Sequence, residues 1–268
     1  MKITFMGAGS TVFARNVLGD CMCTPALCEA EIALYDINEE RLKDSEIILG
    51  AINKNVNESR ATIKTYLGVE NRKEALRDAD FVVNAIQVGG YDPCTITDFE
   101  IPKKYGLRQT IADTLGIGGI MRALRTIPVM EEFARDMEEA CPNTLFLNYT
   151  NPMAMLTGYM QRYTKIRTVG LCHSVQGTVA MLAEWLETPG DEINYLCAGV
   201  NHQAFYLKLE HNGQDLYPKL AKKLENPEFY NKEQVRNEMF RHLGYYVTES
   251  SGHNSEYNAW FRKRPDLI

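Results

Sequence analysis

Three short polar segments of the sequence carry side chains that could bind a metal or transfer a proton. They are residues 148–152, 170–174 and 199–202. The second segment contains Cys172 and the third contains His202, and a thiolate with an imidazole is a donor pair that binds divalent transition metals. Buried cysteines and hydrogen-bonded histidines are also common in protein cores, so spacing alone leaves a structural role open.

Polar side chains elsewhere could act on a substrate. Asp113 could orient a substrate or cap a turn, and Arg125 could reach a substrate oxygen or belong to a solvated helix face. Tyr257 stands in a polar segment with His253 and Glu256, where it could supply an acid or a base or could simply pack. Residue type alone does not choose between these roles.

The residues Gly7-Ala8-Gly9-Ser10 indicate a different kind of chemistry, the binding of a nucleotide. They lie between a predicted strand and a predicted helix, where unpaired backbone N–H groups and the helix dipole attract a phosphate. The glycines permit a tight turn and a close approach of the backbone to a pyrophosphate. Val12 stands where the dinucleotide motif has its third glycine, so a plain tight turn is also compatible with the sequence.

Asp36 favours the nucleotide interpretation. It ends the second predicted strand, where a carboxylate can accept hydrogen bonds from the ribose hydroxyls. Its charge would repel a 2′-phosphate, so we expect NAD rather than NADP as the cofactor. The alternative is that Asp36 only caps the helix that follows. Asn84 and Gln87 come at the end of another predicted strand and are expected to line the cofactor.

The order of elements in the first part of the chain predicts an α/β fold with a Rossmann-type, mostly parallel sheet. Apolar strands alternate with helices that have apolar residues at helical spacing, which is typical of a sheet covered on both faces. The predicted strands are residues 2–6, 31–35, 62–66, 80–86, 144–147 and 168–171, and the predicted helices are 11–22, 39–57, 119–140 and one that starts near 152.

The pattern changes beyond about residue 191. Residues 194–200 and 204–210 read as two strands, and Asn212-Gly213 predicts a turn. A charged helical region is expected at 216–243 and a loop at 250–257. We therefore predict two domains, an NAD-binding domain over residues 1–190 and a mixed α+β domain over 191–268.

Composition excludes several classes of partner. The net charge of −6 gives no reason to expect nucleic acid or an anionic membrane, and no apolar run is long enough to span a bilayer. Seven cysteines, an odd number scattered through predicted helices and strands, are typical of reduced thiols in a cytoplasmic protein. No signal peptide is predicted, because the N-terminal apolar residues break at Gly7.

A set of motifs spread over the whole chain in consistent order resembles glycoside hydrolase family 4. The motifs are Gly7-Ala8-Gly9-Ser10, Val88-Gly89-Gly90, Asp113-Thr114-Leu115-Gly116, Asn148-x-x-Asn151-Pro152, Cys172-His173-Ser174, Asn201-His202 and Gly252-His253-Asn254-Ser255-Glu256-Tyr257. The stretch from 88 to 128 is similar to the α-galactosidase (melibiase) branch. The resemblance implies a fold like that of lactate and malate dehydrogenases, and it assigns substrate, metal and dimer contacts to the domain over residues 191–268.

The resemblance also implies a function: hydrolysis of α-galactosides with NAD and Mn²⁺, by oxidation at C3, elimination across C1 and C2, addition of water and re-reduction. It assigns Cys172 and His202 as metal ligands and Asn151 as a substrate-binding residue. It assigns His173 as the proton donor and Tyr257 as the base that acts on C2. We expect Asp113 and Arg125 to contact the substrate as well, and Gly7, Gly9 and Ser10 to contact the cofactor.

Other readings of the function stay open at this stage. A lactate/malate-type dehydrogenase would share the fold, an α-glucosidase or α-glucuronidase would share most motifs, and a nucleotide-binding module would bind NAD without turnover. The substrate is expected to be a small oligosaccharide, and a dimer or tetramer is expected. Family members continue beyond the position that matches Ile268, so we expect the substrate pocket and oligomer contacts to be incomplete and the nucleotide half to be intact.

Overall fold

The computed structural model describes residues 1–111 and 114–267. The chain divides into two compact units. One comprises Met1–Thr95 with Met121–Leu171, and the other comprises Ile96–Ile120 with Cys172–Ile268. Residues 96–120 and 172–190 thus belong to the same unit as residues 191–268. A functional division between residues 190 and 191 stays a prediction.

The first unit contains a six-stranded, entirely parallel sheet. Strands β1–β6 are Lys2–Met6, Glu31–Asp36, Thr62–Leu67, Phe81–Asn84, Leu145–Asn148 and Arg167–Gly170. Their order in the sheet is β3-β2-β1-β4-β5-β6, which is the Rossmann order with its crossover between β1 and β4. The predicted fold class is confirmed.

The described residues also form eleven α-helices, besides short 3₁₀ and irregular turns. In chain order, α1–α11 are Thr11–Cys23, Glu39–Val56, Arg72–Leu76, Ile96–Lys104, Ile117–Ala140, Met153–Tyr163, Ser174–Trp185, Tyr217–Lys223, Pro227–Tyr230, Gln234–Leu243 and Ser251–Tyr257. None of the described helices is both long and apolar enough to cross a membrane.

Helices cover both faces of the parallel sheet, which explains why its strands are apolar on both sides. On one face, Phe5 of β1 packs in a buried cluster with Leu18 of α1 and Leu49 of α2. On the other face, Met6 belongs to a second buried cluster that includes Met130 of α5. Successive residues of β1 thus serve opposite faces, as the period of a strand requires.

The second unit contains an antiparallel sheet with the order β10-β8-β7, to which β9 adds through β8. Strands β7–β10 are Ile193–Val200, Gln203–His211, Gln214–Asp215 and Tyr246–Val247. The predicted turn joins β8 to β9: Asn212 and Gly213 have φ angles of 49° and 76°. Two positive φ angles in a two-residue connection are typical of a type I′ hairpin.

Two local predictions for the second unit need correction. Residues 250–257 are not a loop, because α11 spans Ser251–Tyr257 and the Ser250 side chain caps it by accepting a hydrogen bond from the His253 N–H. The helical region 216–243 is interrupted rather than continuous: Asn226 caps the short helix α9, which starts at Pro227. In both places a polar cap starts a helix that lacks an obvious apolar period.

Candidate functional site

The glycine turn after β1 is built so tightly that its first position admits only glycine. The N–H groups of Gly7 and Ala8 both donate to the Tyr35 carbonyl, at 3.0 Å and 2.9 Å. Gly7 has a φ of 86°, and a Cβ there would lie 2.9 Å from the carbonyl carbon of Ala85. The turn therefore lies directly against the backbone that follows β4, as a dinucleotide-binding turn does.

Asp36 is half-buried at the end of β2 and contacts the same turn. Its Oδ2 accepts a hydrogen bond from the Gly9 N–H at 2.6 Å, and its Oδ1 accepts one from the Asn38 N–H at 2.9 Å. A Cβ at Gly9 would lie 2.8 Å from Oδ2, so a side chain at that position would displace the carboxylate. Asn38, not Asp36, is the cap of α2, which removes the alternative that Asp36 serves only as a cap. Its contact with ribose stays a prediction.

The start of α1 has the features of an anion site. Ser10 is exposed and precedes the helix, but its side chain makes no capping hydrogen bond. The first turn of α1, all of it described, contains no acidic residue. Val12 is 65% exposed at the position of the missing glycine. The backbone N–H groups and the helix dipole therefore favour a negatively charged group at Ser10.

The two other predicted cofactor residues lie in different environments. Asn84 has no exposed surface, and its Nδ2 donates to Asn148 Oδ1 at 2.9 Å and to Thr150 Oγ1 at 3.2 Å. Asn84 therefore joins the carboxyl ends of β4 and β5 through buried hydrogen bonds, and any effect on a cofactor would be indirect. Gln87 is exposed, and its Nε2 donates to Thr95 Oγ1 at 3.1 Å.

Asn151 and Arg125, the predicted substrate residues of the first unit, are both half-buried. The Asn151 Oδ1 accepts a hydrogen bond from the Met153 N–H at the start of α6, at 3.3 Å. The Arg125 Nε donates to the Val88 carbonyl at 3.1 Å, so the guanidinium is held at the loop that follows β4. Neither residue belongs to a freely solvated helix face, and their contact with a substrate stays a prediction.

Within the second unit, Cys172 and His202 come together with a third residue, Glu249. One potential ligand atom from each side chain lies within 4.8 Å of the other two. His202 and Glu249 are buried, with 6% and 5% of their surface exposed, and Cys172 is half-buried. A thiol, an imidazole and a carboxylate in this arrangement can bind a divalent metal, although the donor types alone do not select one metal.

The orientation of the His202 ring suits a metal ligand. Its Nδ1 lies 2.7 Å from the Oγ1 of buried Thr114. Its Nε2 faces Glu249, at 3.7 Å from Oε1. A proton on Nδ1 that is donated to Thr114 leaves the Nε2 lone pair for a metal, which is the usual way in which a second partner fixes a metal-binding histidine.

The surroundings of Cys172 favour a thiolate. Burial raises the pKa of the thiol, but hydrogen bonds with His202 and Ser174 outweigh burial and hold the pKa below its ordinary value. The Ser174 Oγ lies 3.3 Å from the sulfur. Because the thiolate is the form that binds metals, this electrostatic setting agrees with the predicted role of Cys172 as a ligand.

The predicted proton-transfer residues lie at the ends of two helices of the same unit. His173 is exposed and stands directly before α7, next to Cys172. Tyr257 is the last residue of α11, and its ring lies 5.9 Å from that of His253. The His253 ring lies 5.0 Å from the His202 ring. A chain of aromatic contacts thus links Tyr257 to the proposed metal ligand.

Asp113 lies outside the described residues. The segment just before it is held by Glu256 of α11, whose Oε2 accepts hydrogen bonds from the N–H groups of Thr110 and Ile111, the second at 2.9 Å. Among the members of this site, Glu249 was not anticipated from the sequence. Its only signal is a lone acid between a short apolar strand and a Ser-Ser-Gly segment, which is too weak to single it out.

Comparisons with known proteins agree with these features. The profile described as Family 4 glycosyl hydrolase matches residues 2–188, and that of the Family 4 glycosyl hydrolase C-terminal domain matches residues 197–268. The α-galactosidase of Bacillus subtilis (strain 168) is 55% identical over 270 residues, which cover 100% of this chain and 62% of that protein. The chain thus spans less than two thirds of this relative's length.

Solved structures show the same fold. A 6-phospho-beta glucosidase from Thermotoga maritima, crystallised with manganese, NAD⁺ and glucose-6-phosphate, is 25% identical, with a TM-score of 0.76 over 92% of this chain and 58% of that one. Lactate dehydrogenase from Eimeria maxima is 17% identical, with a TM-score of 0.59 over 95% of this chain and 72% of that one, a likeness of fold alone. The expected dehydrogenase-like architecture is confirmed. Since two family profiles match consecutive parts of the sequence, the chain belongs to the family 4 glycosyl hydrolases.

Proposed function

We propose that this protein hydrolyses α-galactosides with NAD and Mn²⁺ as cofactors. The observation that carries the proposal is the convergence of Cys172 and His202, with the Nδ1 of His202 held by Thr114. The 55% identity with the Bacillus subtilis α-galactosidase supports the choice of sugar. The manganese and NAD⁺ of the Thermotoga maritima relative support the choice of cofactors.

The residues of the first unit fit NAD. A Cβ at Gly7 would collide with the backbone after β4, so the turn keeps the close approach that a pyrophosphate needs. We assign Gly7, Gly9 and Ser10 to the phosphates and Asp36 to the ribose hydroxyls. Gln87 is assigned to the cofactor as well, while buried Asn84 supports the strand end from behind.

The residues of the second unit fit a divalent metal. Cys172 supplies a sulfur ligand whose pKa is lowered, and His202 supplies Nε2. When bound, the two cofactors supply hydride acceptance at C3 of the sugar and Lewis-acid polarisation of the sugar oxygens. Asn151, Arg125 and Asp113 are proposed to hold the sugar in place.

Two residues of the chain are proposed to move protons. Tyr257 removes the proton from C2 once C3 is oxidised, and His173 donates a proton to the glycosidic oxygen as its bond to C1 breaks. Water would then add at C1, C2 would regain a proton that has exchanged with solvent, and the hydride taken from C3 would return there, so that the cofactor would be recycled. Positioned acids and bases of this kind typically accelerate proton transfer by about 10²–10⁴-fold. The exposed position of His173 suits a group that protonates a departing alcohol.

Hydrolysis of p-nitrophenyl α-galactoside, with and without NAD, Mn²⁺ and a reductant, tests the proposal. We expect hydrolysis only when both cofactors are present, and incorporation of solvent deuterium at C2 of the released galactose. The α-glucoside and α-glucuronide analogues serve as matched substrates for the choice of sugar. Hydrolysis that does not depend on NAD, or no deuterium at C2, would contradict the mechanism.

The same assay separates the alternative functions. NADH that accumulates from a hydroxy acid, without hydrolysis of any glycoside, would identify a lactate/malate-type dehydrogenase. NAD binding without turnover of either substrate would identify a nucleotide-binding module. A glycosidase recycles its NAD, so no net NADH is expected during hydrolysis.

Thr114→Val should weaken Mn²⁺ binding about 10–100-fold, because it removes the partner that orients the His202 ring. Valine has nearly the same shape, so the buried site should keep its packing. Titration of Mn²⁺ followed by electron paramagnetic resonance measures the effect. Thr62→Val, at an exposed position of β3, is the control and should leave the affinity unchanged. Equal affinity in the Thr114 variant would show that the hydroxyl does not orient the ring.

A further inference from the structure

Glu249 is a buried carboxylate whose polar contacts are unusually long. Its Oε1 lies 3.7 Å from His202 Nε2 and 3.9 Å from Cys172 Sγ, and its Oε2 lies 3.9 Å from His253 Nδ1. A hydrogen bond to a charged group normally measures about 2.7–2.9 Å. Among the described residues, no shorter polar contact to this carboxylate is found, although only 5% of the surface of Glu249 is exposed.

Burial of a carboxylate is costly unless a charge or close hydrogen bonds compensate it. The two contacts with histidine nitrogens are too long for direct hydrogen bonds, and the thiol of Cys172 donates only a long, weak one, but the spacings to His202 and Cys172 match ligands that share one ion. Neighbouring ligand atoms that share one ion lie roughly 3–4 Å apart, at the lower end for octahedral and at the upper end for tetrahedral geometry. The distances from Glu249 Oε1 to His202 Nε2 and Cys172 Sγ fall in the upper part of this range.

The backbone next to Glu249 is held from several sides, so the position of the carboxylate is set by rigid elements. Thr248 donates its N–H to the Ala204 carbonyl at 3.0 Å. Its own carbonyl accepts hydrogen bonds from Thr178 Oγ1 and from buried Arg236, the latter at 3.2 Å. Asn254 Nδ2 donates to the Glu249 carbonyl at 2.7 Å. Ligands on such supports need little reorganisation when a metal binds.

We propose that Glu249 is a third protein ligand of the metal, beside Cys172 and His202; this rests on the metal site of the proposed function. A thiolate and a carboxylate together balance the charge of a divalent ion, which accounts for an acid buried beside two other donors. The carboxylate also adds a hard oxygen donor to the softer thiolate and imidazole donors. It thereby favours Mn²⁺ more than it favours Zn²⁺, which thiolate and imidazole bind well on their own.

The test is a set of metal titrations on the 268-residue chain. Mn²⁺ affinity is measured by electron paramagnetic resonance and Zn²⁺ affinity by competition with a chromophoric chelator. Glu249→Gln should weaken Mn²⁺ binding more than about tenfold and Zn²⁺ binding less. Water-proton relaxation by bound Mn²⁺ should increase, because water takes the place of the carboxylate. Glu228→Gln, which removes an exposed acid of the same unit, is the control and should change none of these values.

Folding is checked by circular dichroism in the presence of a chelator. Glu249→Gln should melt at the same temperature as the unchanged chain or higher, since it replaces a buried acid that makes no close hydrogen bond through its side chain with an amide of the same shape. A lower melting temperature would instead show that Glu249 is a structural partner of the two histidines. Glu249→Asp serves as a second variant if the first does not fold, and it should bind Mn²⁺ more weakly than the unchanged chain.

Mn²⁺ affinity within twofold of the unchanged chain in the folded Glu249 variants would overturn the assignment. Cys172→Ser distinguishes this failure from that of the proposed function. If Cys172→Ser weakens Mn²⁺ binding and the Glu249 variants do not, only the third ligand is wrong. If none of the three substitutions weakens it, the metal site of the proposed function is wrong as well.

Discussion

Replacement of Cys172 by serine should lower the affinity for Mn²⁺ by more than about 100-fold and leave NAD binding nearly unchanged. The change removes the thiol that lies with His202 and Glu249 and puts a neutral hydroxyl in its place. Loss of a direct ligand should exceed the roughly 10–100-fold effect of losing a supporting contact. NAD should bind as before, because the glycine turn and Asp36 belong to the other compact unit. Any Mn²⁺-dependent hydrolysis should disappear with the metal.

Cys197→Ser is the matched control for this prediction. Cys197 is a half-buried thiol of β7 in the same unit; burial raises its pKa, and it does not belong to the cluster of Cys172, His202 and Glu249. Isothermal titration with Mn²⁺ and with NAD compares the two variants. Equal Mn²⁺ affinity in Cys172→Ser and Cys197→Ser would refute the ligand role of Cys172.

Gly7→Ala should destabilise the protein by roughly 2–4 kcal/mol, since it combines two separate penalties. An L-residue at the observed φ of 86° costs about 1–2 kcal/mol. The new methyl group would also lie 2.9 Å from the carbonyl carbon and oxygen of Ala85, which are backbone atoms that cannot rotate away. The turn would have to open, so NAD binding should be lost together with stability.

Gly50→Ala is the control for the glycine prediction. Gly50 lies within α2, and a Cβ there would meet no atom within 4 Å. Alanine should therefore stabilise the helix by about 0.5–1 kcal/mol. Urea unfolding followed by circular dichroism measures both variants, together with NAD titration. A Gly7→Ala protein that unfolds at the same urea concentration as the unchanged chain would show that the turn has room for a side chain.

Buried parallel strands are the part of the fold that the sequence predicts best. β1 was predicted as residues 2–6 and is found at Lys2–Met6, and the second strand gains only Asp36. Such strands are covered on both faces, so they appear as short apolar runs bounded by polar turns. The order of the strands follows from the dinucleotide-binding pattern and not from the apolar runs themselves.

Helix α11 could not be predicted in the same way. Its residues are polar, so they give no apolar period, and it forms because Ser250 caps it and Asn254 anchors it to the Glu249 carbonyl. Both interactions depend on where β10 ends. The local sequence pattern does not reveal where β10 ends, because that end is set by the pairing of β10 with β8, which lies far away in the sequence.

The candidate site was predictable only in part for a related reason. Cys172 and His202 have residue types that are rare enough to attract attention, and each follows a strand. Glu249 belongs to a common residue type, and only its burial beside the other two marks it. Burial is a property of the packed chain, so the sequence carried no direct sign of it.

The hydrogen bond from Gly9 to Asp36 bears on any attempt to re-engineer the cofactor preference. A change to NADP would begin by removing the negative charge at the end of β2, yet that same carboxylate holds the glycine turn closed through Oδ2. A substitution that removes this charge would thus loosen the loop that we propose binds the other phosphates. The expected preference for NAD over NADP and the order of the glycine turn both depend on the Asp36 side chain. A successful redesign would therefore have to provide a neutral acceptor for the Gly9 N–H at the same time.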